Sequence, residues 1–231
     1  MSKIKALVLD AGGVLVHPIY GNWNIPVKYR ELLGDYARDI PGESWLKACA
    51  AEAAILREDV FVKDMHEEYG LRLDFLKKIA ARLDWKLDEN SFAALAHDFT
   101  YNTERYSWYE DVNTWLPRWS AAMKMGMLSD AMPSFRHVVN SHPCHDLFHA
   151  LVISTEIGAG KPDAKMYLTA AERLGVAPEE CLFVDDREGN LRGAMAVGMR
   201  AVQMCRDGLA PWQGDYVCNL EELNRYLEGL N

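Results

Sequence analysis

Hydrophobic and polar positions divide this chain into two kinds of pattern. The first is a buried run that stops at a polar residue. Ala6-Leu7-Val8-Leu9 ends at Asp10, followed by Ala11-Gly12-Gly13 before apolar residues resume. Such a run reads as a strand buried on both faces, with a tight glycine turn at its end. The same signature returns three times in the second half. Met123–Leu128 leads to Ser129-Asp130, Ala150–Ile153 to Ser154, Cys181–Val184 to Asp185-Asp186, and a strand is also expected over Met199–Gln203. Between these runs lie helical patterns: Asp111–Ala122, Pro133–Val139, a helix opened by Lys161-Pro162-Asp163 and stopped by Gly175, and Glu188–Val197 stopped by Gly198. A last helix is capped by Asn219. Strands alternating with helices predict an α/β fold with a doubly wound parallel sheet.

The second pattern fills residues 17–104. His17 to Asn24 carries Pro, Gly and Asn and reads as a loop. Beyond it the apolar spacing is helical. Trp45, Leu46, Cys49, Ala53 and Leu56 form one stripe, and Phe61–Tyr69 runs up to Gly70. Leu73, Phe75, Leu76, Ile79 and Leu83 form another. Asn90-Ser91 is expected to cap a helix through Phe92, Leu95 and Phe99. No strand is expected here. The boundaries predicted are an α/β core over 1–16 and 105–231, with a helical bundle inserted over 17–104.

At 231 residues the chain can build one core and a smaller second domain. A net charge of -9 argues against nucleic acid as the main partner but leaves phosphorylated small molecules open. The five cysteines are scattered and odd in number, which fits a reducing compartment rather than a disulfide framework. No signal-peptide pattern and no apolar run of membrane-spanning length is seen. The expectation is a cytoplasmic protein, monomer or homodimer, with no membrane partner.

In a parallel sheet the carboxyl ends of the strands share one edge, where ligands bind. Asp10, Ser129, Lys161 and Asp185-Asp186 should therefore meet. Asp10, Asp185 and Asp186 are hard oxygen ligands suited to Mg²⁺. Ser129 and Lys161 are donors for phosphate oxygens. The Ala11 and Gly12 N–H groups can approach an anion closely because the turn is bare. Lys161 also offsets repulsion among the carboxylates. His142, Cys144, His145 and His149 match no metal-ligand spacing and read as loop and helix-end residues. Tyr20 and Trp23 stand in the loop leaving the sheet, where aromatic residues gate or recognise a substrate, or simply pack.

Leu-Asp-Ala-Gly-Gly-Val-Leu, Met-Leu-Ser-Asp, Gly-Ala-Gly-Lys-Pro-Asp and Phe-Val-Asp-Asp-Arg-Glu-Gly-Asn together resemble the haloacid dehalogenase (HAD) superfamily of hydrolases. The helical block lies where that family carries its cap domain. The resemblance implies a phosphatase forming an aspartyl-phosphate on Asp10, with Ser129 and Lys161 on the phosphoryl group. It further implies Mg²⁺ on Asp10, the Gly12 carbonyl and Asp185, with Asp186 bound directly or through water. Dehalogenases of the family lack the paired acidic residues present here as Asp185-Asp186, which favours phosphoryl transfer.

One position departs from the pattern. Phosphatases of the family usually carry a second Asp two residues after the nucleophile, and here that residue is Gly12. The expectation is a slow enzyme or a substrate with a good leaving group, with His17 as a candidate substitute acid. Two alternatives stay open: a catalytically impaired protein that binds a phosphoryl ligand, and a hydrolytic dehalogenase.

Overall fold

Strands whose residues are all buried need partners along both edges and cover on both faces. Ala6–Leu9 and Cys181–Asp185 are such strands. The structure is a computed structural model that describes residues 3–56, 61–206 and 211–230. In chain order its first elements are β1 (Ala6–Leu9), β2 (Val16–Pro18), α1 (Tyr29–Leu33), α2 (Glu43–Ala51), α3 (Met65–Arg82), α4 (Glu89–Tyr101) and β3 (Tyr106–Trp108). There follow α5 (Val112–Ala122), β4 (Lys124–Ser129), α6 (Phe135–Ser141), β5 (Ala150–Ile153), α7 (Ser154–Ile157) and α8 (Ala164–Leu174). The chain closes with β6 (Cys181–Asp185), α9 (Glu188–Ala196), β7 (Arg200–Met204), β8 (Tyr216–Val217) and α10 (Leu220–Leu230).

Six strands form one sheet in the order β5-β4-β1-β6-β7-β8, and every pairing in it is parallel. This is the α/β, Rossmann-like fold expected. β1 is central, and the chain winds outward from it on both sides, so its carboxyl end is a topological switch point. The register sets Leu9 between Met127 and Val184, Ser129 beside Ile153, and Asp185 beside Gln203. The ends of β1, β4 and β6 therefore lie level on one edge. α8 ends as its sequence predicts, with Gly175 in the left-handed conformation (φ +62°).

The chain divides into two compact units. One holds Met1–His17, Trp108–Ala131 and Val139–Asn231; the other holds Pro18–Ser107 and Met132–Val138. The short Met132–Val138 stretch thus groups with the helical residues, although in sequence it lies amid the strand–helix alternation. The helical unit packs Tyr29, Trp45, Phe75, Ile79, Leu95 and Phe99 into its own core. Its longest helix, α3, starts where the Asp64 side chain accepts hydrogen bonds from His66 N (2.9 Å) and Glu67 N (3.0 Å).

Local details differ from the sequence pattern. α3 runs straight through Gly70, which is exposed and costs a helix about 1 kcal/mol relative to alanine, too little to stop an 18-residue element. α4 is capped by Asp88, whose carboxylate accepts from Ser91 N at 2.7 Å, two residues before the Asn90-Ser91 cap expected. β2 and β3 pair as a two-stranded sheet where loop was expected; three-residue strands carry too few positions to show a period. All five cysteines are free thiols. Among the described residues no helix is long and apolar enough to cross a membrane.

Candidate active site

Pairing along β1 continues one residue past the strand, because Asp10 N donates to Val184 O at 2.9 Å. This holds the Asp10 backbone against β6. The chain then turns sharply around Ala11, whose carbonyl accepts from Val14, Leu15 and Val16 N–H at 3.3, 2.8 and 2.9 Å. Gly13 N donates to Val16 O at 2.9 Å. Gly13 has φ +71°, and a Cβ there would stand 2.6 Å from Asp186 Oδ2. Only glycine satisfies both demands.

Lys161 is the hub of the site. Its Nζ lies 2.7 Å from Asp10 Oδ1, 2.8 Å from Asp185 Oδ2 and 3.4 Å from Leu128 O. Its backbone N donates to Asp130 Oδ1 at 2.9 Å, so the residue after Ser129 anchors the lysine's loop. Ala131 N donates to Ser154 Oγ (3.1 Å) and Ala131 O accepts from Thr155 Oγ1 (3.1 Å), which fixes the chain beyond β4. Ser129 itself is buried at the end of β4.

Asp185 is fully buried and saturated. Its Oδ1 accepts from Arg187 N (2.8 Å) and Asn190 Nδ2 (3.1 Å); its Oδ2 accepts from Asn190 Nδ2 (3.0 Å) and Lys161 Nζ. All four lone-pair directions of that carboxylate are in use. Asn190 is held in turn by Tyr167, whose hydroxyl donates to Asn190 O at 2.8 Å. Asp186 is placed through its backbone, with its carbonyl accepting from Gln203 Nε2 at 3.0 Å. One oxygen each of Asp10, Asp185 and Asp186 lie within 4.8 Å of one another.

Three carboxylates thus share one ammonium. Burial pushes the Asp10 carboxyl up to about 8, against the pull of Lys161, with Asp185 and Asp186 adding to the rise. Burial and then Asp185 push Asp186 up to about 6. Burial works against the Lys161 charge, yet Asp10 and Asp185 hold its pKa well above the usual lysine range. The cluster is short of positive charge. Close hard oxygens with open valences on Asp10 and Asp186 fit a divalent cation, which would neutralise the surplus.

Asp10, Ala11, Gly12, Ser129, Lys161, Asp185 and Asp186 all stand on the one sheet edge. The aromatic candidates make contacts of a different kind. His17 has its ring 4.9 Å from that of Tyr109. Tyr20 donates to Val27 O at 3.0 Å and meets Tyr29 edge-on, while Trp23, 43% exposed, lies 5.6 Å from Tyr106. The latter two pack within the helical unit. Tyr167 and Gln203 carry no sequence signal, since each acts through a contact 17 or more residues away.

Residues 4–198 match the haloacid dehalogenase-like hydrolase family. A phosphoserine phosphatase of Thermus thermophilus is 30% identical over 170 residues, covering 72% of this chain and 61% of that protein. A glyceraldehyde 3-phosphate phosphatase of Methanopyrus kandleri is 49% identical over 63 residues, 27% of either protein. The matched stretches thus span less than two thirds of these curated relatives. Among solved structures, L-2-haloacid dehalogenase of Xanthobacter autotrophicus superposes with a TM-score of 0.69 at 20% identity, over 99% of this chain and 100% of that one. At that identity the likeness speaks for the fold alone. With the family match covering most of its length and its polar strand ends meeting on one edge, the chain belongs to the haloacid dehalogenase-like hydrolases.

Proposed function

We propose that the chain is a Mg²⁺-dependent phosphatase that hydrolyses a small phosphorylated metabolite through an aspartyl-phosphate on Asp10. The observation that carries this reading is the Lys161 ammonium held between Asp10 and Asp185, with Asp186 alongside. Phosphatase names among the relatives support it.

In this reading an Asp10 oxygen attacks phosphorus, the bond from phosphorus to the ester oxygen breaks, and the leaving oxygen takes up a proton. Water then attacks the aspartyl-phosphate, giving phosphate and regenerating Asp10. Lys161 favours the ionised form of Asp10 against its burial and, with Ser129 and the Ala11 and Gly12 N–H groups, receives the phosphoryl oxygens. Asp10, Asp186 and the Gly12 carbonyl would hold Mg²⁺, and Asp185 would join them by giving up one of its four hydrogen bonds. The ion would supply charge neutralisation on the transferring group. Gly12 offers no proton to the leaving oxygen. Acid–base help is worth about 10²–10⁴-fold, so substrates with good leaving groups, such as acyl or anomeric phosphates, should be favoured.

The test is phosphate release from para-nitrophenyl phosphate and a sugar-1-phosphate panel, with Mg²⁺ or chelator, by wild type and Asp10→Asn. Release that needs metal and vanishes in the variant is expected. Equal release by both proteins would refute the role of Asp10. The dehalogenase alternative rests on the fold of the solved neighbours, and halide release persisting in chelator would select it. Tight binding of a phosphorylated ligand without turnover would select the impaired-protein reading that Gly12 motivates.

A further inference from the structure

We propose that Arg206 is a positioning residue for the turn that follows Asp10. The inference rests on the phosphatase reading, since the turn matters because its Ala11 and Gly12 backbone groups face the reacting phosphoryl group.

Arg206 lies just past β7, far along the chain from that turn, yet all three of its nitrogens are committed to this region. Its Nε donates to Val14 O at 2.8 Å. Its two terminal nitrogens grip both oxygens of Asp111, at 3.0 and 2.9 Å. Its guanidinium lies 4.0 Å from the centre of the Tyr109 ring. The Arg206 side chain is 8% exposed. Tyr109 N donates to Leu15 O at 3.0 Å, and its ring neighbours that of His17. Asp111 Oδ2 also accepts from Leu220 N at 2.9 Å, at the start of α10. The turn is thus tied at Val14 and Leu15 to a planar, charged clamp.

The inner side of the turn lacks side chains to hold it. The turn is closed by Ala11 O and Gly13 N bonding to Val14, Leu15 and Val16, so the directions of its N–H groups depend on what fixes those next residues. A lysine could not replace the clamp, because one ammonium cannot fill three fixed directions and stack on a ring at once. Misplacement of about 1 Å at a reacting centre costs about 10²-fold.

The experiment compares Arg206→Ala and Arg206→Lys with wild type, using the exposed Arg118→Ala as a control. Phosphate release and amide hydrogen exchange of the Asp10–Val16 stretch are both read, with the folded fraction taken from circular dichroism. Arg206→Ala should lower kcat about 10–100-fold per folded molecule with KM nearly unchanged. Arg206→Lys should recover little, and guanidinium ion below denaturing levels should restore part of the loss. Exchange in the turn should quicken while that in β4 and β6 stays as in wild type. If either variant is folded, keeps kcat within about twofold and shows unchanged exchange in the turn, the inference is overturned while the phosphatase reading stands. If wild type releases no phosphate, that reading fails. The exchange measurement then decides the clamp by itself: faster turn exchange upholds it, and unchanged exchange overturns it. Should Arg206→Ala not fold, Arg206→Lys carries the same two readouts.

Discussion

Each unit buries a cluster of charged side chains around a central residue, Glu68 in one and Lys161 in the other, and the two are built to opposite rules. In the helical unit Glu68 is fully buried and its two oxygens accept from Arg72 (3.2 Å), Ser134 N (2.8 Å) and Ser134 Oγ (2.8 Å). The Arg72 and Arg105 guanidiniums both lie on the Phe99 ring, 4.1 and 4.5 Å from its centre. Arg105 also donates to the Phe99 and Trp23 carbonyls. The surplus positive charge there is spread over an aromatic face and carbonyl dipoles. In the α/β unit the surplus is negative, three carboxylates around one ammonium, and the amide donors that surround it are spent on Asp185 and leave Asp10 and Asp186 raised. Burial of charge is common to both clusters and so does not mark a functional site. What marks it is an excess that the protein's own groups leave uncompensated, with open oxygens still on offer.

Breaking each cluster at its centre should give unlike results. Lys161→Met removes the ammonium that contacts Asp10, and kcat for phosphate release should fall about 10³-fold or more in protein that is still folded. If instead Lys161→Met kept its activity, the lysine would be structural and the contrast would collapse. Glu68→Gln should do the reverse. It leaves Arg72 without its partner charge in a buried position, which costs about 3–5 kcal/mol, so Tm should drop by about 10 °C. The kcat per folded molecule should stay close to wild type, and a differential-scanning measurement beside an activity assay reads both. Smaller in size but opposite in sign is Asp186→Asn in chelator. Removing one of three crowded carboxylates should raise Tm by about 2–4 °C, whereas a lower Tm would show the charges to be well compensated already. The same variant should lose most of the stabilisation that Mg²⁺ gives wild type.

The contrast was only half legible in the sequence. Asp10, Ser129, Lys161 and Asp185-Asp186 announce themselves because each follows an apolar run, and a parallel sheet must bring such ends together. Glu68 and Arg72 do not, since a charged residue beside Glu67 and Gly70 reads as solvated surface. Yet a signal was there. Positions 68, 72, 75, 76 and 79 share one face of α3, and all are buried, so the two charges sit on the apolar stripe itself. Arg206 has no such marker. Its partners Val14 and Asp111 are 192 and 95 residues away, and nothing in periodicity links them. The short strands β2, β3 and β8 were lost for a related reason, because elements of two or three residues draw their stability from neighbours rather than from their own pattern. Contacts that depend on the completed fold are what a one-dimensional pattern cannot carry.

The finest test of the contrast is the pH dependence of stability without metal. Asp10 and Asp186 are pushed up to about 8 and about 6 from the ordinary 3.8. The folded chain therefore keeps these protons to higher pH than the unfolded chain does. As pH rises from about 4, the unfolded carboxyls ionise freely while the folded ones resist, so stability is lost across the window up to about 8. In chelator, Tm should decline over that window. Asp186→Asn should flatten the lower part of the decline and Asp10→Asn the upper part. Saturating Mg²⁺ should reverse the slope, because the ion binds the ionised carboxylates that the bare cluster disfavours. The helical unit's cluster serves as the internal control, since Arg72, pulled down by burial to about 10, titrates above the window. A Tm in chelator that stays flat, and that neither asparagine variant alters, would mean that Lys161 and the surrounding donors already balance all three carboxylates. The surplus that distinguishes the α/β cluster from the helical one would then not exist.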